Sequence, residues 1–250
     1  TWPEIDAHTT VWVSPEDDIE FRQVELRNLS DRVLDLELMS VFEITLAETR
    51  ADEAHPAFSN LFMRAGWRPG QQALVFERKP RLPTEQALLA AHFLVENDPA
   101  VSTLRVQTDR LGWLGHNQDA SQPLASFTSA FDVHTEPSTE HPLDTGLDPV
   151  CALSVRLQLP PHGKIRLTFC TAASDNRITL DAVIDKYRQH SPVERASLMS
   201  ATLAGIRLRE LGVNAESFAA IQTLTSAVVM NVTRARSGLP AAHERNDSAG

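Results

Sequence analysis

Cysteine occurs only twice in this chain of 250 residues, at Cys151 and Cys170. Two thiols are too few for a disulfide framework or a zinc site. Glycine is also scarce, at 10 residues, and no Walker loop, dinucleotide-binding glycine turn, GxSxG, HExxH or CxxC occurs. Those absences argue against the familiar phosphate-cradling, serine-hydrolase, zinc-protease and dithiol chemistries. No apolar run approaches the ~20 residues that a membrane helix needs. No signal-peptide pattern is visible at Thr1-Trp2-Pro3-Glu4, which sets the expectation of a reducing, cytoplasmic setting. Basic residues are outnumbered 33 to 23, for a net charge of −10. A surface of that sign repels phosphate backbones, so nucleic acid is not expected as a partner.

What is present is ordinary for a globular chain with one large core: 42% hydrophobic and 22% charged residues. The first half alternates. Thr9 to Val13 is rich in β-branched and aromatic residues, and Ser14-Pro15-Glu16-Asp17-Asp18 follows as a turn. Ile19 to Asn28 reads as a strand with a break of phase between Phe21 and Val24, which predicts a bulge or bend. Leu34, Leu36 and Leu38 oppose Asp35 and Glu37, the pattern of a half-buried antiparallel strand. Glu85 to Val95 is helical on propensity alone, and Val101 to Val106 is strand-like. Gly112 to Gly115 and Asn117 to Gln122 read as loop. Leu153 to Leu159 and Ile165 to Phe169 alternate on either side of Pro160-Pro161-His162-Gly163, which predicts a hairpin. Beyond Ser174 the period becomes helical at Leu180, Val183, Ile184 and Tyr187. Ser191-Pro192-Val193-Glu194 reads as a capping box opening a helix that Gly212 closes, and Asn214 caps another. The tail from Ser237 has no periodicity and is expected to be disordered.

Several residue clusters bear on chemistry. Glu16-Asp17-Asp18 has carboxylates for calcium but no further ligand spacing, so a solvated turn is the simpler reading. Cys151 and Cys170, on the two arms of the predicted hairpin, are read as near neighbours and as free buried thiols, a disulfide being the minor alternative. His134 and Glu136 are an acid–base pair on paper, but alternate polar residues on an outer strand face explain them more simply. The sequons at Asn28, Asn231 and Asn246 are taken as chance. Thr108 to Asn117 is richer: Trp113 offers a flat face for a sugar ring, and Arg110, His116 and Asn117 offer hydrogen bonds to hydroxyls. Against it stands an internal Asp109–Arg110 network with Trp113 in the core. The octapeptide His55-Pro56-Ala57-Phe58-Ser59-Asn60-Leu61-Phe62 mixes a histidine with large apolar residues, and is expected to fold back on its own sheet.

These blocks occur in one order: Ser14 to Asp18, the Val24 to Leu46 strands, His55 to Phe62, Arg78-Lys79-Pro80-Arg81, Thr108-Asp109-Arg110 with Trp113-Leu114-Gly115, and Gly146-Leu147-Asp148-Pro149. In that order the chain resembles the β-supersandwich domain of cyclic β-1,2-glucan synthases. It is similar, more distantly, to the same domain of glycoside hydrolase family 94 phosphorylases acting on cellobiose or chitobiose. The resemblance implies a mainly β, galactose-mutarotase-like supersandwich over 1–175, lacking its first strands. A helical linker over 176–236 and a disordered tail over 237–250 would follow. It implies a strand, not a helix, at Ala87 to Val95. The family departs from this chain at Trp113-Leu114-Gly115-His116, where it commonly has Phe-Leu-Gly-Arg, which weakens any carry-over to His116.

The resemblance also implies a function. The parent would be a glycosyltransferase or phosphorylase, with inorganic phosphate as co-substrate in the phosphorylase case and no other cofactor. Its catalytic acid would lie in an (α/α)6 barrel of the same polypeptide, so the piece seen here would be inactive alone and hold no catalytic or metal-binding residue. The expected partners are a β-glucan or oligosaccharide, that barrel and a second copy in a homodimer, with no nucleic acid and no direct membrane contact. The expected place is the cytoplasm, as the soluble part of a bacterial inner-membrane protein. Substrate-facing candidates are His55, Phe58, Arg110, Trp113, His116 and Asn117. Two alternatives stand beside this reading: a free-standing sugar-binding or mutarotase-like protein, and an assembly module without sugar affinity.

Overall fold

The structure, a computed structural model, describes residues 3–80, 87–95, 100–115, 131–132 and 140–233. In chain order the elements are strands β1 (Ile5–Val13), β2 (Ile19–Asn28) and β3 (Leu34–Glu43), helices α1 (Thr49–Ala54) and α2 (Pro56–Asn60), strands β4 (Met63–Arg68), β5 (Ala73–Arg78), β6 (Leu88–Leu94) and β7 (Val101–Asp109), helix α3 (Arg110–Leu114), strands β8 (Phe131–Asp132), β9 (His141–Leu143), β10 (Pro149–Leu159) and β11 (Lys164–Ser174), and helices α4 (Arg177–Tyr187), α5 (His190–Glu210) and α6 (Ala215–Thr233). The strands form two antiparallel sheets: a larger one in the order β1-β2-β11-β6-β5-β4-β9 and a smaller one in the order β3-β10-β7-β8. The architecture is a mainly β supersandwich.

Two cores follow from two faces of the larger sheet. One lies between the sheets, where Leu26, Trp67, Leu74, Phe76, Leu94 and Phe169 meet Leu104, Val106, Leu153, Val155 and Leu157. The other lies on the opposite face, where Phe21, Val75, Ala91, Phe93, Cys170 and Ala172 meet Leu180, Val183, Ile184 and Tyr187 of α4 and Val193 and Ala196 of α5. A strand buried on both faces loses clean alternation. That explains β2. Its change of phase marks no bulge, since β2 pairs with β1 and β11 in unbroken register. Ile19 and Phe21 serve the helix side, and Val24 and Leu26 the inter-sheet side.

The same logic governs β6. Leu89, Ala91 and Phe93 point to the helices while Ala90, His92 and Leu94 point between the sheets, so a run rich in alanine and leucine is a central strand. Tertiary context overrides helix propensity there. The expected hairpin is corrected. β10 pairs with β3 and β7 in the smaller sheet, whereas β11 pairs with β2 and β6 in the larger. The Pro160–Gly163 turn therefore carries the chain from one sheet to the other. Both strands turn apolar residues to the shared core, and this alternation is the same whether two strands are ladder partners or face each other across a sandwich. Cys151 and Cys170 are accordingly not neighbours: Cys151 lies in the inter-sheet core and Cys170 in the helix-side core. Both are free, and burial pushes both thiols well up.

By contacts the chain divides into two units, Thr1–Ser200 and Ala201–Gly250. Within the first, Asn176 opens α4 by accepting hydrogen bonds from the Ile178 and Thr179 amides. α5 already includes Ser191 and Pro192, so the helix begins slightly before the proposed capping box. Within the second, Gly212 takes a positive φ of 68° where the helix ends. Asn214 then accepts from the Ser217 amide at 2.8 Å to start α6. The segment from 234 onward lies outside the described residues.

Candidate functional site

The segment from Arg110 to Gly115 follows β7 directly, at the end of the sandwich where β3 finishes and β10 begins. Arg110 is the first residue of α3. Its Nη2 lies 3.1 Å from Glu43, the last residue of β3, and its Nη1 lies 3.1 Å from Asp148, just before β10. Its amide also donates to the Asp148 carbonyl at 3.0 Å. The guanidinium is thus braced between two carboxylates on two elements. The neighbouring Asp109 makes a different bond: its Oδ1 accepts from the Leu111 amide at 3.0 Å and caps α3. The short turn before β10 is tied in as well, because the Thr108 hydroxyl donates to the Asp144 carbonyl at 2.6 Å.

Trp113 packs against Val150 and Ala152 of β10 together with Met39 and Val41 of β3, on the face of the smaller sheet away from the larger one. Its indole Nε1 is buried and has no hydrogen-bond partner among the described residues. His116 and Asn117 lie outside the described residues, as do His134 and Glu136.

The octapeptide differs from expectation. It forms α2, with His55 at the junction of α1 and α2. Ser59 is the residue buried, while Phe58 is 49% and Leu61 58% exposed. The His55 and Phe58 rings meet edge to face with centroids 5.8 Å apart. A five-residue helix turns only part of its perimeter inward, so residues three apart are left on the outside. The His55–Phe62 segment therefore offers an apolar, aromatic surface at its tip.

Sequence reasoning undervalued the Ser14–Asp18 turn. It is docked against α4 rather than simply solvated. The Tyr187 hydroxyl donates to Asp17 at 2.8 Å, so the Ser14 hydroxyl, 3.0 Å away, donates to Tyr187. Lys186 reaches Asp17 at 2.6 Å and Glu16 at 3.0 Å, and Arg195 reaches Glu16 at 3.4 Å. Burial alone would raise the Asp17 carboxyl; the bonds from Lys186 and Tyr187 outweigh it and hold Asp17 below its ordinary value. The bond to Asp17 raises Lys186. The partners are 169 or more residues apart in sequence, so no local pattern announces them. No group of three or more metal-ligating side chains is present among the described residues, and none of their helices is long and apolar enough to cross a membrane.

Chemically, this end of the sandwich is a braced platform with an apolar tip. Comparison with known proteins agrees with the architecture. The family model for the glycosyl hydrolase 94 supersandwich domain matches residues 1–190. Among curated proteins, the cyclic beta-(1,2)-glucan synthase NdvB of Rhizobium meliloti (strain 1021) is 27% identical over 212 residues. That match covers 85% of this chain and 7% of the relative, so the chain spans a small part of that protein's length.

Proposed function

Because this chain belongs to the glycosyl hydrolase 94 supersandwich family, we propose that it serves as the non-catalytic sandwich of a larger glucan-assembling or phosphorolytic enzyme. It packs against a catalytic (α/α)6 barrel of the same polypeptide and presents the α2 tip toward substrate or toward a neighbouring subunit. The observation that carries this reading is the family match joined to the exposure of Phe58 and Leu61 at α2, beside His55. Apolar side chains held outward on a braced platform lower the free energy of the molecule when another surface covers them. Arg110 and Trp113 then support the platform, one through its two ion pairs and the other through its packing. The glucan is the substrate class that the NdvB relationship favours. The soluble sandwich would sit on the cytoplasmic side of a membrane-bound parent.

The test uses the parent enzyme. Phe58→Ser with Leu61→Ser should leave this domain folded and alter product chain length or lower turnover by roughly tenfold, the effect of ~1.4 kcal/mol. Unchanged turnover and product distribution would remove α2 from the reading. Anomer interconversion or glucan cleavage by the purified 250-residue chain would overturn the non-catalytic role.

A further inference from the structure

The face of the larger sheet that carries α4 is not fully covered by it. Beyond the N-terminus of α4, β4, β5 and β9 frame a cleft of about 450 Å³. Its lining includes Arg64, Gly66 and Arg68 of β4, Glu77 of β5, Glu140, and Arg177 at the start of α4. That volume lies within the ~300–1,000 Å³ of small-molecule sites.

Arg64 and Glu77 sit directly opposite each other in the β4–β5 register. Opposite charges so placed ordinarily pair. Here neither side chain makes an ion pair or hydrogen bond with any described residue. The far wall repeats the combination of donor and acceptor: Arg177 holds Glu140 through two bonds of 2.9 and 3.1 Å. Between the walls lies Arg68, buried at 7% exposure and held by Asp181. Its Nε makes no hydrogen bond among the described residues and meets Glu140 only as a longer ion pair of 3.7 Å. A buried donor left open in this way is costly unless something else meets it. Gly66 keeps the floor low, since a Cβ there would come 3.3 Å from the His141 carbonyl. Arg68, Glu140 and Arg177 also line an adjoining cleft of about 270 Å³.

We infer that this cleft is a glucan-binding subsite, with Arg64 and Glu77 on one wall and Arg177 and Glu140 on the other engaging sugar hydroxyls. The inference rests on the carbohydrate reading above and adds a place for the sugar to it. A hydroxyl both donates and accepts, so a vicinal diol is satisfied by an arginine fork beside a carboxylate. Two carboxylates in the lining oppose a bare anion, and three guanidiniums oppose a cation. The two adjoining clefts, divided by the Arg177–Glu140 bridge, suit consecutive residues of a chain better than one compact metabolite.

The experiment is a titration of the 250-residue chain with a linear β-1,2-gluco-oligosaccharide, followed by amide NMR and repeated on Arg64→Leu and Glu77→Leu. Since neither side chain bonds another described residue, both variants should keep the wild-type melting temperature. The expected result is millimolar binding with the Gly66 and Glu77 amides shifted, weakened at least about fivefold in each variant, as for one lost hydrogen-bonding group. Binding that shifts other amides and survives both substitutions would overturn the cleft and leave the carbohydrate reading intact. No binding up to about 20 mM, well past the millimolar range, would overturn the cleft as well. The parent-enzyme test of α2 does not depend on this cleft, so the two readings fail separately.

Discussion

At the scale of single residues, Asn28 and His92 carry more of the fold than their places in the sequence suggest. Asn28 is fully buried. Its amide nitrogen donates to the carbonyls of Arg32, Leu159 and Pro160 at 2.7, 3.1 and 2.9 Å, and its Oδ1 accepts from the Ser30 amide and hydroxyl. One side chain thus ties the end of β2 to the crossing between sheets. In this fold the Asn28 side-chain nitrogen is inside and in use, so the Asn28-Leu29-Ser30 sequon presents no free amide to a glycan. Asn28→Asp replaces that donor with a carboxylate facing carbonyls. A loss of roughly 3 kcal/mol or more is expected in urea unfolding, with Asn28→Ala costing somewhat less.

His92 sits in the inter-sheet core between the Phe42 and Phe169 rings, 5.1 and 6.0 Å away by centroid, and its Nδ1 is 3.0 Å from the Thr171 hydroxyl. Burial lowers its pKa to about 4, with nearby Arg22 adding to the shift against a backbone bond at Cys170. The unfolded chain therefore takes up this proton first as pH falls. Stability is intact above the unfolded value near 6.5 and is lost as pH drops from there toward 4. The cost across that window is on the order of 3 kcal/mol, from about 1.4 kcal/mol per pH unit. His92→Leu should flatten this stretch of the stability–pH curve measured by urea titration. An unchanged slope would mean that His92 is protonated equally in both states.

Elements were legible wherever one face is polar. β3, β10 and β11 announce themselves by alternation, and α4 by the spacing of Leu180, Val183, Ile184 and Tyr187, all of them buried. What the sequence hides is pairing. The β4–β5 register that sets Arg64 against Glu77, and the docking of Asp17 on Lys186 and Tyr187, depend on long-range contacts that no local period encodes. The same blindness makes the β10–β11 crossing look like a hairpin, and the Phe58 and Leu61 tip look like a buried loop. β6 gives the sharpest contrast between propensity and context. Its amides lie between β5 and β11 with cores on both sides, so Leu89 to Leu94 should fall in the slowest class of hydrogen exchange. α6 has better local helix character but Ile221, Leu224, Val228 and Met230 are all at least half exposed, so its amides should exchange orders of magnitude faster. Comparable protection in the two segments would contradict this burial pattern.

At the scale of the molecule, two surface properties pull in opposite directions. A net charge of −10 favours dispersal in water. The second unit exposes apolar residues along α6 with one charged residue, Glu216, in the whole helix. Apolar area of this kind is usually covered, and in the proposed parent a further domain would cover it. In the isolated chain at high concentration the available cover is another copy, and salt that screens the acidic repulsion should promote it. Sedimentation velocity should then show concentration-dependent self-association that strengthens from low to moderate salt. Leu224→Lys combined with Val228→Glu should return the chain to a monomer without changing its melting temperature, because neither side chain is buried in the fold. Self-association that survives this double substitution would shift attention to the α2 tip, where Phe58→Ser and Leu61→Ser make the matching test. A wild-type chain that stays monomeric at all salt concentrations would mean that exposed α6 side chains do not drive association, and would weaken the case that a covering domain stabilises the parent through this helix.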